Sequence, residues 1–183
     1  MTYYGSKELA ASFRVVRGNT IQIAQDIPEN KYDFRAAPDC RTVAQTLVHV
    51  SFISAWQLHM NRSRIADLNG FNFMEFFQPI MAEEGTPRTK AQIVGLLTSR
   101  GEEFASYLES LSEAFLGELV TQPAGAQPAV KSRFEMLLSA KEHEMHHRGQ
   151  LMMVERMLGV VPHLTRQMQE RMAQHAAAAQ AQR

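Results

Sequence analysis

The chain has a single cysteine, Cys40, so no disulfide can form within it. Its fold must rest on a packed core, as is usual in a reducing compartment. No apolar run approaches the ~20 residues that span a bilayer. The opening segment Met1-Thr2-Tyr3-Tyr4-Gly5-Ser6-Lys7-Glu8 lacks the basic stretch and apolar run of a secretory signal. A cytoplasmic protein with no membrane partner is therefore expected. Neither sign of charge is in excess: Lys plus Arg and Asp plus Glu number 19 each, which leaves no general attraction for nucleic acid or anionic lipid. No Lys/Arg block interleaved with aromatics is present, so no nucleic-acid partner is expected. No segment alternates with the period of a half-buried strand, and no internal repeat occurs.

What remains is helical. The 183 residues are 45% hydrophobic and 21% charged, enough for one domain with a real core. The first helical pattern runs from Ser6, a candidate cap, to Ile27, with Leu9, Phe13, Val16, Ile21 and Ile23 as apolar positions and Pro28 as the stop. A polar connection, Glu29 to Asp39, follows. The second pattern runs from Thr42 to Leu68, with Val43, Leu47, Val50, Ser51, Ser54 and Leu58 at spacings of three and four, until Asn69-Gly70 breaks it. Phe71, Phe73, Phe76, Phe77, Ile80 and Met81 predict a short helix inside a long crossover. The third helix is predicted from Thr89 to Leu111. A looser stretch with Pro123, Gly125 and Pro128 leads to the fourth, from Val130 to Leu158, stopped by Gly159 and Pro162. The predicted fold is an all-α four-helix bundle. Short links join helices one to two and three to four as antiparallel pairs, and the crossover lies between two and three. Residues 1–162 form the bundle, and 163–183 a helical tail that frays at its Ala-rich end.

The chemistry concentrates late in the fourth helix, in Glu142-His143-Glu144-Met145-His146-His147-Arg148-Gly149-Gln150-Leu151. At ~100° and ~1.5 Å per residue, His143 and His147 lie ~40° apart in azimuth and one turn apart, so both rings can reach one ion. Gln150 returns to the same stripe. On the second helix, Gln45, His49 and Trp56 share a face. If the two stripes meet, three neutral imidazoles with an open fourth position make a catalytic type of metal site. Imidazole suits zinc, nickel, iron or copper, so the ion is left open. The plainer alternatives stand beside this: His49 as a core histidine, and the His143/His147 pair as a polar helix face. His146 lies beside the stripe; His59, His163 and His175 read as surface residues, and Arg148 as an exposed one. Gln150 could bond a ligand or simply be satisfied by backbone. Trp56 and the phenylalanines Phe71, Phe73, Phe76 and Phe77 could wall a pocket, plug a bundle end or form a dimer surface. Cys40 has no neighbour in sequence that would activate it as a nucleophile.

His143, Glu144 and His147 also spell His-Glu-x-x-His, in which zincin proteases use the Glu as general base. Gln150 stands where the metzincin pattern needs Gly, and Glu170 is the only downstream carboxylate proposed as a distant ligand. A di-iron bundle needs two Glu-x-x-His motifs, and only Glu144 to His147 fits.

His49 in Leu47-Val48-His49-Val50, the His143 to Leu151 segment, and Val160-Val161-Pro162-His163-Leu164-Thr165-Arg166-Gln167-Met168 together resemble the DinB-like family of four-helix metalloproteins. The resemblance implies three His ligands on the second and fourth helices, mapping to His49, His143 and His147. It implies a divalent ion, zinc or nickel first and iron third, and a homodimer. Some relatives are transferases or isomerases that use low-molecular-weight thiols. A metal-dependent thiol transferase acting on a small-molecule substrate is accordingly the leading expectation. A metal-dependent hydrolase and a non-catalytic metal-binding stress-response protein are the alternatives.

Overall fold

Three of the long helices begin where a hydroxyl can close the free end of the backbone. In the computed structural model, which describes residues 4–181, Thr42 caps α2 (Val43–Arg62), Thr89 caps α4 (Lys90–Glu109) and Ser132 caps α6 (Arg133–Met157). Each hydroxyl accepts the amide three residues on, and Gln45, Gln92 and Glu135 reach back to the cap's own N–H. The first helix, α1 (Ser6–Asp26), is capped by Gly5 rather than Ser6; Glu8 accepts the Gly5 amide. Residues 1–3 of the opening segment and 182–183 of the tail lie outside the described residues.

Two boundaries differ from the helical pattern. The second helix stops at Arg62 instead of continuing to Leu68, because Arg64 takes the left-handed φ of 51° and Asp67 leaves to bridge Thr121. The last bundle helix starts at Arg133, because Val130–Ser132 is a strand, β2, paired antiparallel with β1 (Leu119–Thr121). Each strand has three residues, too few for alternation to register in the sequence. The crossover carries α3 (Phe73–Glu84), as its aromatic spacing predicts, and α5 (Glu113–Leu116) precedes β1.

The fold is the expected helical bundle, but its neighbours are not consecutive. Both α1 and α2 pack against α4 and α6, so α1 and α2 face one another across a diagonal. This corrects the pairing of helices one with two and three with four through short links. The first link spans residues 27–42 and is itself packed: Tyr32 is buried, and its hydroxyl donates to the Ala24 carbonyl at 2.7 Å. The link before α6 holds α5 and the β-hairpin. Links of this length can cross the end of a bundle, which a tight turn cannot. Among the described residues, the last helix, α7 (His163–Ala181), is anchored through its first turn. His163 is buried against Asn19 at 3.1 Å, contrary to its reading as a surface residue, and Arg166 pairs with Asp26 at 2.6 Å. From residue 167 to 180 every position is exposed. Among the described residues, no helix is long and apolar enough to cross a membrane.

Apolar packing fills the bundle in layers, with Phe13 of α1 edge-on to Phe104 of α4 at 4.9 Å. One polar group runs through the middle. Arg17 of α1 is 4% exposed and Glu144 of α6 is 0% exposed. The Arg17 Nε donates to both Glu144 oxygens at 2.9 and 3.1 Å. Its Nη1 donates to the Leu97 carbonyl of α4 at 2.8 Å, and its Nη2 to the Val50 carbonyl of α2 at 3.1 Å. One guanidinium thus touches all four bundle helices. Gly101 of α4 makes the room: a Cβ there would sit 2.7 Å from the Arg17 Cγ.

That contact gives two glycines of one helix opposite expected behaviour. Gly95 has open space around it, so Gly95→Ala should stabilise by about 1 kcal/mol through helix propensity. Gly101→Ala should destabilise by about 1–3 kcal/mol through overpacking. Urea unfolding of both variants checks the difference in sign. A second test concerns Glu155 of α6, which is fully buried with neither oxygen hydrogen-bonded. Burial, and then the nearby Asp26, push its carboxyl up to about 7. A carboxyl raised on folding favours the folded state only while protonated, so its contribution is lost as pH climbs from about 4.5 to about 7. Glu155→Gln should match the parent near pH 4.5 and exceed it by on the order of 2 kcal/mol at pH 8, read as thermal stability against pH.

Candidate metal centre

The candidate centre is built where α2 and α6 pack side by side. His49 sits within α2 between the buried Val48 and Val50. On α6, inward-facing Ala140, Glu144 and Leu151 orient the helix so that His147, three after Glu144, is also buried and His143 lies at the exposed edge. The three Nε2 atoms meet. That of His143 is 3.0 Å from that of His147 and 3.4 Å from that of His49. One ligand atom from each ring falls within 4.8 Å of the others, and this is the His/Cys/Asp/Glu group able to share an ion among the described residues. Two nitrogens bound at ~2.0–2.1 Å to a tetrahedral ion stand about 3.3 Å apart, so the donor set fits a divalent cation. His49, 94 positions from His143 in sequence, is brought to it by packing alone.

The outer nitrogens of two rings are held by two partners: Glu84, which the helical pattern did not reveal, and Gln150, which it placed on the stripe. Glu84, the last residue of α3, accepts from the His49 Nδ1–H at 2.7 Å, and Arg41 donates to the other Glu84 oxygen at 2.6 Å. A carboxylate can only accept, so the proton is on Nδ1 and the Nε2 lone pair faces the centre. Gln150 does the same for His147: its amide oxygen accepts from Nδ1–H at 2.9 Å, and its amide nitrogen reaches the Nε2 of His146 at 3.1 Å. Gln150 is exposed and its bonds go to side chains, not to backbone. Arg148 is half-buried rather than exposed, His59 is exposed against Phe76, and His175 is exposed on α7. Trp56 gathers Phe71, Phe73, Phe76 and Phe77 about itself on the α2–α3 contact, so the aromatics join α3 to the bundle.

Electrostatics keep the triad uncharged. Burial pushes the His147 imidazole down to about 4, further than Gln150 raises it, with the neighbouring rings adding to the fall. Burial also lowers His49, against the opposing pull of Glu84, and lowers His143, where the next cause is His49 itself. Neutral imidazoles are the metal-binding form. Glu144 takes no part: both its oxygens belong to Arg17, which removes the general base that a zincin needs. Glu170 is exposed on α7 and lies outside the cluster.

The profile of the DinB superfamily matches residues 12–151 of this sequence. No curated protein matches it. Several solved structures share its fold. YfiT from Bacillus subtilis, described as a probable metal-dependent hydrolase with an unusual four-helix bundle topology, aligns with a TM-score of 0.67 at 12% identity over 87% of this chain and 91% of its own. A DinB-like protein, YjoA, from Bacillus subtilis aligns with a TM-score of 0.60 at 18% identity over 83% and 92%. An uncharacterized protein from Clostridium difficile 630 aligns with a TM-score of 0.63 at 15% identity over 85% and 98%. At these identities the likeness establishes the fold.

The geometry sets an expectation for titration. In an NMR titration of the metal-free protein, His147 should keep its neutral Nδ1–H form down to about pH 4. An unperturbed imidazole titrates near 6.5; a His147 midpoint there would contradict the buried arrangement.

Proposed function

This chain belongs to the DinB superfamily, and from that premise we propose that it is a divalent-metal-dependent enzyme that activates a low-molecular-weight thiol for transfer to a small molecule. His49, His143 and His147 are the proposed ligands, with zinc or nickel as the expected ion and iron as the third choice. A divalent ion held by these three imidazoles would supply Lewis acidity, lowering the pKa of a thiol or a water bound to it.

The observation that carries the thiol reading is the commitment of Glu84 and Glu144, carboxylates of the elements that carry or contact the three histidines. Glu84 is taken up by His49 and Arg41, and Glu144 by Arg17. Neither is free to accept a proton from an attacking water. A thiol, with a free pKa of about 8.5 against about 15.7 for water, would give up its proton to bulk solvent on binding a cation, so the chain's residues have only to hold, orient and keep neutral the three imidazoles. Glu84 and Gln150 do the orienting, through the Nδ1 atoms of His49 and His147. Hydrolysis is the second reading, favoured by the description of YfiT.

His49→Ala should abolish stoichiometric zinc and nickel binding measured by equilibrium dialysis with elemental analysis, because two imidazoles hold a divalent ion poorly. Glu84→Gln, which keeps the shape but loses the charge, should weaken binding about 10- to 100-fold. Metal-loaded parent protein should then accelerate conjugation of glutathione or cysteine to an aryl electrophile, and His49→Ala should not. Ester cleavage by the parent with no dependence on added thiol would replace the transferase reading with the hydrolase one.

A further inference from the structure

Beside the triad, on the His147 and Gln150 side, lies a cavity of about 750 Å³. That is within the roughly 300–1,000 Å³ usual for small-molecule sites. Its walls are Phe34 from the first link, Val43 from α2, and Leu151, Met153, Val154 and Met157 from α6. Met153 is 61% exposed and Met157 is 54% exposed, so apolar side chains stand open to solvent along a concave surface. Methionine thioethers are unbranched and adapt to the shape of what they cover.

The charged lining decides what kind of molecule fits. Asp39 and Arg41 both border the cavity, with opposite signs, and Arg41 is already bonded to Glu84. Asp39 is itself exposed, so its charge is solvated at the rim, and the wall holds no buried unpaired charge to offset the desolvation of an ionic ligand. At the other side, the polar groups are Thr46, His146, His147 and Gln150, with Gln150 bonded to both histidines. We infer that this cavity takes an uncharged small molecule with an alkyl or aryl body. The body lies against Val43, Leu151, Val154 and the two methionines, and the polar end points toward His147. In the proposed enzyme this molecule is the acceptor of the thiol; the inference rests on that reading for the role of the bound molecule but not for its binding.

The test uses full-length protein stripped of metal with EDTA. The neutral probe N-phenyl-1-naphthylamine should bind saturably with a rise in fluorescence. Straight-chain 1-alkanols should displace it, tightening about threefold to fourfold per methylene from butanol to octanol. Octanoate and octylammonium should each compete about tenfold more weakly than octanol. Met153→Glu should weaken the probe about tenfold. Met145→Glu, at an exposed methionine of the same helix outside the cavity lining, should leave it unchanged. Cys40 also lines the cavity and is the sole cysteine, so octanol should slow its reaction with a disulfide reagent.

Several results would overturn the assignment: no saturable binding, no dependence on chain length, a preference for either charged analogue, or equal effects of the two methionine variants. So would Met153→Glu dissociating a dimer with probe affinity per chain unchanged, since the methionines would then belong to a subunit interface. A protein that binds the probe but no divalent ion refutes the triad reading and keeps this one; binding of the ion without the probe does the reverse.

Discussion

Arg17 and Glu144 hold the bundle in the one arrangement that makes the site possible. An ion pair this deeply buried is costly to desolvate, and it persists only where the remaining donors are satisfied. Here they are, by the Leu97 and Val50 carbonyls. The consequence is geometric. A hydrophobic stripe alone tolerates sliding and rotation of one helix against another, whereas a guanidinium fork bonded to three other helices does not. Glu144 lies between His143 and His147 in sequence, so the pair that fixes its direction also fixes theirs. The same pair takes Glu144 out of any proton chemistry.

The centre is assembled from separate pieces, each contributing something different. Packing of α2 on α6 brings the Nε2 atoms together. Burial holds the rings neutral. The Nδ1 atoms are oriented from outside, His49 by the end of α3 and His147 from within its own helix. Helix α3 has no buried residue and is attached through its aromatics to Trp56, yet its last residue sets the tautomer of a candidate ligand. The crossover is thereby part of the site.

Much of this is legible from residue order. The His143/His147 pair follows from helical pitch, and the starts of α2 and α4 from Thr42 with Gln45 and Thr89 with Gln92. The start of α6 is signalled equally by Ser132 with Glu135, but the apolar Val130 draws the helical pattern too far back. Arg17 and Glu144 each interrupt an apolar stripe, Phe13 to Ala24 on one helix and Ala140 to Leu151 on the other. Two opposite charges on buried stripes are a readable sign of a buried pair. Glu84 has no such sign: nothing local separates it from Glu83, which pairs with Arg88 instead. His163 is equally silent, because what buries it is Asn19, 144 positions away.

The order of residues by itself determined the existence of the long helices and the two imidazoles one turn apart, because these depend on spacings within a single helix. Tertiary structure decided which helices are neighbours and that His49 completes the triad. It also decided which carboxylate orients a ring and which is neutralised by an arginine. Those outcomes depend on contacts between segments 33 to 127 positions apart, whose partners are chosen by the packing of the whole bundle and leave no periodic trace in the chain.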